Sequence, residues 1–391
     1  MDDIVILGGA RTAIGTFGGS LAGTPLTAIA THAARAAIER SGIDAAQIGH
    51  VVFGNVIATE PRDAYLSRVA MIDAGIPEGT PAMNVNRLCG SGAQAIVSVA
   101  QSLAMGDAEF GLAGGAESMS RAPHALTVSR FGQKMGDVVA IDMMIGALNC
   151  PFGTGHMGIT AENVASEAAI TREEMDAFAL LSQERAATAI AEGRFVSQIA
   201  PFPLKTRKGE VMFDTDEHPK ETTLEKLAAL RPAFKKDGAV TAGNASGIND
   251  GAAAVVLARA DAAAKAGLKP MAKLLGYGIA GVRPEVMGFG PIPAVQQMCA
   301  RIGMTVDQFD VIESNEAFAA QALAVTKGLG LDPAKVNPNG GAIALGHPLG
   351  ATGTILTVKC LYELERIGGR YGLITMCIGG GQGIALAVER L

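Results

Sequence analysis

The chain repeats itself. Residues 45–55, running Ala45-Ala46-Gln47-Ile48-Gly49-His50-Val51-Val52-Phe53-Gly54-Asn55, resemble residues 306–315, Val306-Asp307-Gln308-Phe309-Asp310-Val311-Ile312-Glu313-Ser314-Asn315. An Asn-x-Asn turn follows each copy, Asn84-Val85-Asn86 and then Asn337-Pro338-Asn339. A glycine-rich helix start comes next, Cys89-Gly90-Ser91-Gly92 in one copy and Gly346-His347-Pro348-Leu349-Gly350 in the other. Each copy then has a strand and a glycine cluster, Gly114-Gly115 and Gly379-Gly380-Gly381. Asn55 to Cys89 spans 34 residues and Asn315 to His347 spans 32. A match in order and spacing requires the same supersecondary unit twice, so two similar α/β halves facing each other are expected.

Short aliphatic runs alternate with helical patterns, which predicts largely parallel sheets. Ile4-Val5-Ile6-Leu7 reads as a strand closed by Gly8-Gly9, Val51-Val52-Phe53 as a second, and Glu109 to Ala113 as a third closed by Gly114-Gly115. Helices are expected over Leu26 to Ile38 and over Ala93 to Met105, the latter stopped by Gly106. With 50 glycines in 391 residues, nearly twice the usual share, many tight turns and close backbone approaches are expected. Residues 120–250 break the pattern and read as an insertion over the core. Thr171-Arg172-Glu173-Glu174 is a capping box opening a helix to about Glu192, with Gly193 as its stop.

Composition narrows the function. Hydrophobic residues make up 49% and charged residues 18%, which excludes a disordered chain. A net charge of −6, 4% aromatics and no Trp exclude nucleic acid as the main partner. A small anion is still open to a local basic cluster. No apolar run reaches the roughly 18 residues of a membrane span. No basic stretch leads a hydrophobic one after Met1-Asp2-Asp3, so no signal peptide is expected. Five dispersed cysteines with no C-x-x-C pair point away from structural zinc and toward reduced thiols in a cytoplasm.

Four motifs carry chemistry. Cys89 sits in a glycine-rich turn opening a helix, where free N–H groups and the dipole would favour thiolate; the plainer reading is a buried small hydrophobe. The same stretch fits Gly-x-Gly-x-x-Ala from Gly90 to Ala95, but Met83 to Leu88 is not the clean strand a dinucleotide site needs. His347, between Gly346 and Pro348 at a helix start, is constrained and expected to be neutral; the alternative is a loop histidine bonding a carbonyl, as expected for most of His32, His50, His124, His156 and His218. Cys377 precedes Gly379-Gly380-Gly381-Gln382-Gly383, whose amides suit an oxyanion, or it fills core beside a tight turn. Ser314-Asn315-Glu316-Ala317-Phe318 offers polar groups after a strand, or is an ordinary helix cap.

Two glycine-framed cysteines, a glycine-framed histidine and an Asn-Glu-Ala turn together resemble the thiolase family across essentially the whole chain. The likeness is densest at 84–98, 239–253, 313–325 and 336–383, and is nearest to bacterial short-chain acetyl-CoA acetyltransferases and broad-range β-ketothiolases. Residues 54–63 lean toward the broad-range members. The resemblance implies a thiolase-like fold. Residues 1–119 with 251–269 would form one half, 270–391 the other, and 120–250 an inserted loop domain over the coenzyme A site. It implies an acyltransferase that condenses acyl-CoA with acetyl-CoA, or cleaves short-chain 3-ketoacyl-CoA, in ping-pong fashion. Such acyl chemistry serves fatty acid metabolism and polyhydroxyalkanoate synthesis. Coenzyme A thioesters would be substrates and no cofactor or metal would be needed. A dimer or tetramer is implied, read as a homotetramer, with the 120–140 segment and Met143-Met144 as a candidate assembly loop.

By the same resemblance Cys89 is the nucleophile and His347 its activator, and Asn315 holds a water in the first oxyanion hole. Cys377 is the second acid/base. The amides of Cys89 and Gly379 form the second oxyanion hole. Leu148, His156, Met157 and Phe318 line the reaction pocket, and Phe234, Ala242 and Ser246 contact the pantetheine arm. Chemically, a Cys nucleophile gives an intermediate close in energy to a thioester, and a thiol base of pKa about 8.5 moves protons both ways near neutrality. Residues 201–236 hold eight Lys or Arg and six Asp or Glu, so net charge does not mark a phosphate site. Lys205, Arg207, Lys208 and Lys220 are candidates for the nucleotide end, or solvated surface. Arg87 stands where many acetoacetyl-type members carry Gln, which bears on selectivity, and Cys150 has no assigned role. The rivals are a decarboxylating ketoacyl synthase, which uses one Cys with two His or His and Asn, and a non-catalytic acyl-CoA-binding protein.

Overall fold

The computed structural model describes residues 3–207 and 209–391. Met1 and Asp2, where the signal-peptide reading begins, and Lys208, a nucleotide-end candidate, lie outside the described residues. The main elements in chain order are β1 (Ile4–Arg11), α1 (Leu26–Ser41), β2 (His50–Gly54), β3 (Ala82–Val85), α2 (Ser91–Met105), β4 (Phe110–Ser118), α3 (Met157–Glu167) and α4 (Arg172–Ala191). There follow β5 (Asn249–Arg259), β6 (Ala272–Gly281), α5 (Pro291–Ile302), β7 (Val311–Ser314), α6 (Ala319–Leu329), α7 (Leu349–Ile367), β8 (Tyr371–Ile378) and β9 (Gln382–Arg390).

The repeat is real in three dimensions. The strands run β7-β8-β9-β6-β1-β5-β4-β2-β3 in one sheet, with a two-residue strand, Gly15–Thr16, added to β5. In the first half β2 lies parallel to β3 and β4, and β4, β5 and β1 then pair antiparallel. In the second half β7 lies parallel to β8, and β8, β9 and β6 then pair antiparallel. Where β3 flanks β2, Val336 bridges Ile312 in parallel. The halves meet where Val5 and Ile6 of β1 pair with Lys273 and Ala272 of β6.

Two expectations need correction. The sheet is mixed and mostly antiparallel, not largely parallel. Continuous apolar strands signal burial on both faces, and parallel sheets are the commonest but not the sole way to achieve it; here all of β4 and nearly all of β5 are buried. The glycine pairs do not close their strands either: β1 runs through Gly8-Gly9 and β4 through Gly114-Gly115. They are sites of close approach. A Cβ at Gly8 would sit 2.7 Å from the Ser41 amide of α1, and one at Gly115 would meet the Gly350 carbonyl and lie 2.9 Å from Ala351 Cα.

The equivalent helices α2 and α7 pack on each other, and α7 touches strands of both halves. Its first thirteen residues, Leu349 to Leu361, are all buried, as expected of a helix enclosed on every side. The crossing brings backbones together: a Cβ on Gly92 would lie 2.7 Å from the Thr354 amide, and one on Gly353 would lie 2.9 Å from Ala93 Cα. The expectation that no apolar run is long enough to span a membrane also needs correction: the 18-residue stretch Leu88–Met105, with a mean hydropathy of 1.2, is long and apolar enough by composition, but it includes the α2 core helix of this packing.

Residues 120–250 hold α3, α4 and three small hairpins, 124–125 with 141–142, 149–150 with 155–156, and 202–206 with 209–213. The capping box forms, with Thr171 Oγ1 accepting from the Glu174 amide at 3.2 Å and Glu174 accepting from the Thr171 amide at 2.8 Å. Gly193 takes a φ of 69° just past the helix end. A fully buried ion pair, Arg11 to Asp216 at 2.7 Å, ties this region to β1.

Gly115→Ala is expected to cost about 3 kcal/mol or more, because backbone on the facing helix cannot yield. Gly79→Ala, where a Cβ meets nothing within 4 Å, is expected to stay within about 0.5 kcal/mol. Denaturant melts of both variants check this; equal stabilities would refute the packing argument.

Candidate active site

Cys89 stands one residue before the glycine that caps α2. Its turn is strained and over-determined. Leu88 has a φ of 46°, a left-handed value rare for a branched side chain. Ser91 Oγ holds the turn by accepting from the Arg87 amide at 2.9 Å and donating to the Leu88 carbonyl at 2.7 Å. Asn86 accepts from the Leu88 amide at 2.9 Å. A Cβ at Gly90 would lie 2.6 Å from Ile378, so the turn rests on the end of β8, beside Cys377.

His347 is positioned by groups from both halves. Its amide donates to Asn249 Oδ1 at 3.0 Å, and Asn249 donates to the Gly15 carbonyl at 3.0 Å. Thr352 Oγ1 donates to the Pro348 carbonyl at 3.0 Å, which leaves it an acceptor for His347 Nδ1–H at 2.6 Å. The other nitrogen, Nε2, is then the acceptor and takes a hydrogen bond from Asn315 Nδ2 at 3.3 Å. Asn315 Oδ1 is buried and has no partner among the described residues. Behind this pair, Glu316 accepts from Ser182 Oγ at 2.7 Å, Asn337 Nδ2 at 2.8 Å and the Ile343 amide at 3.2 Å, which clamps the loop leading to His347.

Cys89, His347, Cys377 and Gly379 open onto one cavity of about 380 Å³. Leu148, His156, Met157, Lys220, Phe234, Ala242, Ser246 and Phe318 line it as well. Asn315 reaches it through His347 rather than lining it. His156 caps α3, accepting from the Gly158 amide at 3.0 Å, and stacks on Phe234 with centroids 4.7 Å apart. Phe234 meets Phe318 edge-on at 6.1 Å. These rings make the walls apolar and the geometry rigid.

Electrostatics revise the expected state of the sulfurs. Burial pushes the Cys89 thiol up to about 11, against the pull of the Gly379 and Cys89 amides, and the Glu117 carboxylate raises it further. Cys89 is therefore a thiol at rest, not the thiolate its helix start suggested. Burial, and then the nearby Cys89, raise Cys377 well above the usual thiol range, so it is not poised near neutrality without a ligand. Burial also lowers His347 to about 4, so the expected neutral imidazole is present, by desolvation. A neutral Cys–His pair in an apolar cavity is set to transfer a proton only when a substrate brings compensating charge and hydrogen bonds.

Sequence reasoning overlooked two groups here. His218, expected to be a loop histidine, lines the cavity, whereas His32 does meet a carbonyl, Ala200 O at 3.3 Å. Glu117 accepts from the amides of Val56, Ile57 and Gly350 at 3.0, 3.0 and 2.7 Å, and joins the two halves under Cys89. A lone acid in an all-buried strand was its signal. Arg87 does not line the cavity; its guanidinium is held by Gln94 at 2.9 Å and Gln382 at 3.0 Å, so it braces the Cys89 turn against β9. Lys205 and Arg207 are exposed and Cys150 is buried, and none of the three lines the cavity.

A duplicated α/β chain with two thiols, an imidazole and glycine amides around one apolar pocket defines a thiol-dependent site with a built-in anion cradle. Comparison with known proteins agrees in detail. Residues 4–261 match the family profile "Thiolase, N-terminal domain" and residues 268–390 match "Thiolase, C-terminal domain". The chain is 56% identical to the beta-ketothiolase BktB of Cupriavidus necator, covering 100% of this chain and 99% of that one. It is 50% identical to an acetyl-CoA acetyltransferase of Thiocystis violacea, covering 100% of both. Human mitochondrial 3-ketoacyl-CoA thiolase superposes with a TM-score of 0.98 at 43% identity, covering 100% of this chain and 99% of that one. The chain belongs to the thiolase family.

A thiol raised to about 11 is almost wholly protonated at pH 7. Alkylation of Cys89 by iodoacetamide is therefore expected to accelerate about tenfold per pH unit from pH 7 to 9. Mass spectrometry of the Cys89 peptide follows it; a plateau below pH 8 would mean a resting thiolate.

Proposed function

We propose that this protein is an acetyl-CoA C-acyltransferase working through an acyl-Cys89 intermediate. Cys89 attacks the thioester carbonyl of an acyl-CoA, the new S–C bond forms as the coenzyme A sulfur leaves, and the thiol proton passes through His347 Nε2 to that sulfur. Cys377, a thiol at rest, passes its proton to the His347 imidazole, and the resulting thiolate takes a methyl proton from a second acetyl-CoA. The carbanion attacks the acyl carbon, a C–C bond forms, the S–C bond to Cys89 breaks, and the proton held by His347 goes to the Cys89 sulfur. Thiolysis of a 3-ketoacyl-CoA is the reverse. The observation that carries this reading is the meeting of both cysteines and the His347 imidazole at one cavity, in a chain matched nearly end to end by thiolase profiles. The amides of Cys89 and Gly379 are assigned to the enolate or tetrahedral oxygen, and each such donor is worth about 3–4 kcal/mol in the transition state. Asn315, through its free Oδ1, is assigned to a water at the other oxyanion position.

The substrate range is that of a broad β-ketothiolase acting on short-chain acyl groups; the 56% identity to BktB and the apolar lining support it. Coenzyme A binds as substrate, with Phe234, Ala242 and Ser246 along the arm and Lys220 toward the nucleotide. Human mitochondrial 3-ketoacyl-CoA thiolase, solved in complex with CoA, superposes with a TM-score of 0.96. We assign residues 120–250 as the domain covering this site, between halves formed by 1–119 with 251–269 and by 270–391. A cytoplasmic location is supported by five free cysteines. A homotetramer is supported by the exposed apolar side chains at Phe131, Met135 and Val139, 94%, 87% and 69% accessible, in the stretch proposed for assembly.

Cys89→Ala is expected to abolish loading of labelled acetyl groups from acetyl-CoA, whereas Cys377→Ala is expected to load normally and to condense at least about 10²-fold more slowly. Label exchange by the first variant would displace the nucleophile, and normal condensation by the second would move the acid/base elsewhere. Light scattering is expected to give a tetramer mass that falls on Phe131→Ser with Met135→Ser; an unchanged mass removes the loop from the interface.

A further inference from the structure

His218 is the polar cavity residue that the mechanism leaves without a task. It is fixed on both sides along the chain. Asp216 pairs with Arg11 and accepts from the Ile14 amide at 2.8 Å, and Glu217 accepts from the Thr16 amide at 2.8 Å. The Lys220 amide donates to Gln183 at 2.9 Å. The ring itself lies on the Cα of Gly247, where a Cβ would sit 2.7 Å from Nε2 and 2.8 Å from Nδ1. Gly247 is in turn held in place, because the Ser246 amide donates to the Ala317 carbonyl at 3.0 Å. A backbone with three anchors and a ring resting on a glycine leave this imidazole little freedom. Yet Nδ1 is buried without a hydrogen-bond partner among the described residues. A preorganised, unsatisfied polar group on a cavity wall is what a ligand contact looks like before the ligand arrives.

We propose that His218 is a specificity-determining residue that hydrogen-bonds the distal amide of the pantetheine arm. This rests on coenzyme A thioesters being the substrates. The neighbours of His218 select that amide. The ring rests on Gly247, next to Ser246, which is assigned to the pantetheine arm, and it stands two residues before the exposed Lys220, which is assigned toward the nucleotide. Its chemistry selects an amide over a phosphate. Burial, and then the Lys220 charge, lower its pKa to about 4. The ring is then neutral at working pH and offers one donor and one acceptor, complementary to an amide's carbonyl and N–H. A phosphate would call for a cation instead.

The test compares acetoacetyl thioesters of coenzyme A, pantetheine and N-acetylcysteamine in thiolysis. The first two carry the distal amide, and the third carries the proximal one alone. His218→Phe is expected to raise KM for the coenzyme A and pantetheine thioesters about tenfold with kcat within about twofold, and to leave the N-acetylcysteamine thioester unaffected. His218→Gln, which keeps a donor and an acceptor, is expected to recover most of the loss. Unfolding of His218→Phe, read from its thermal melt, leaves the same comparison to His218→Gln against His218→Leu. An equal penalty on the N-acetylcysteamine thioester, or no penalty on any, overturns the assignment while the thiolase reading stands. A wild-type protein inert toward all three brings down both.

Discussion

The structure depends on one contact of backbone with backbone. Helices α2 and α7 cross at Gly92 and Gly353 so closely that a single methyl group on either would strike the other helix's main chain. Each helix is the product of one copy of the repeat, and each is led by a chemistry-bearing residue, Cys89 in one copy and His347 in the other. Bringing the two helix starts together brings those residues to one cavity. The repeat is thus more than an economy of topology: equivalent positions in the two copies supply different chemical groups to the same place. Glu117 reinforces the arrangement from beneath, accepting amides from the β2–β3 connection of the first half and from the first turn of α7.

The second organising constraint is burial. Burial raises both thiols and lowers the imidazole, so every reacting group rests in its neutral form. A neutral resting site keeps a nucleophilic sulfur quiet toward stray electrophiles. It also means that the polar machinery acts at full strength when a thioester enters, since hydrogen bonds and charges are screened least in a buried, apolar site. The walls serve the same end: the ring chain His156, Phe234 and Phe318 is stacked and edge-packed, and α3 begins where His156 caps it.

Much of the architecture was legible in the residues. The repeat, the ends of α2 and α4, and the capping box at Thr171 all depend on local pattern, and they hold. Strand direction was not legible, because β4 and β5 are apolar throughout whichever way their neighbours run. Nor was the purpose of Gly8 and Gly115, since a glycine that ends a strand and one that admits a helix look alike until the helix is placed. His218 was misjudged for a related reason: no motif surrounds it, and its significance comes from the cavity wall that Gly247, 29 residues on, completes.

The order of elements, the two-fold plan and the candidates for reactive side chains are legible in the sequence alone, because they follow from periodicity, turn chemistry and residue type. The protonation state of those side chains, the direction of the strands and the choice of which polar groups face the cavity were decided by tertiary structure. Desolvation, sheet pairing and close backbone approach all act between segments distant in sequence, and none exists until the chain has closed on itself.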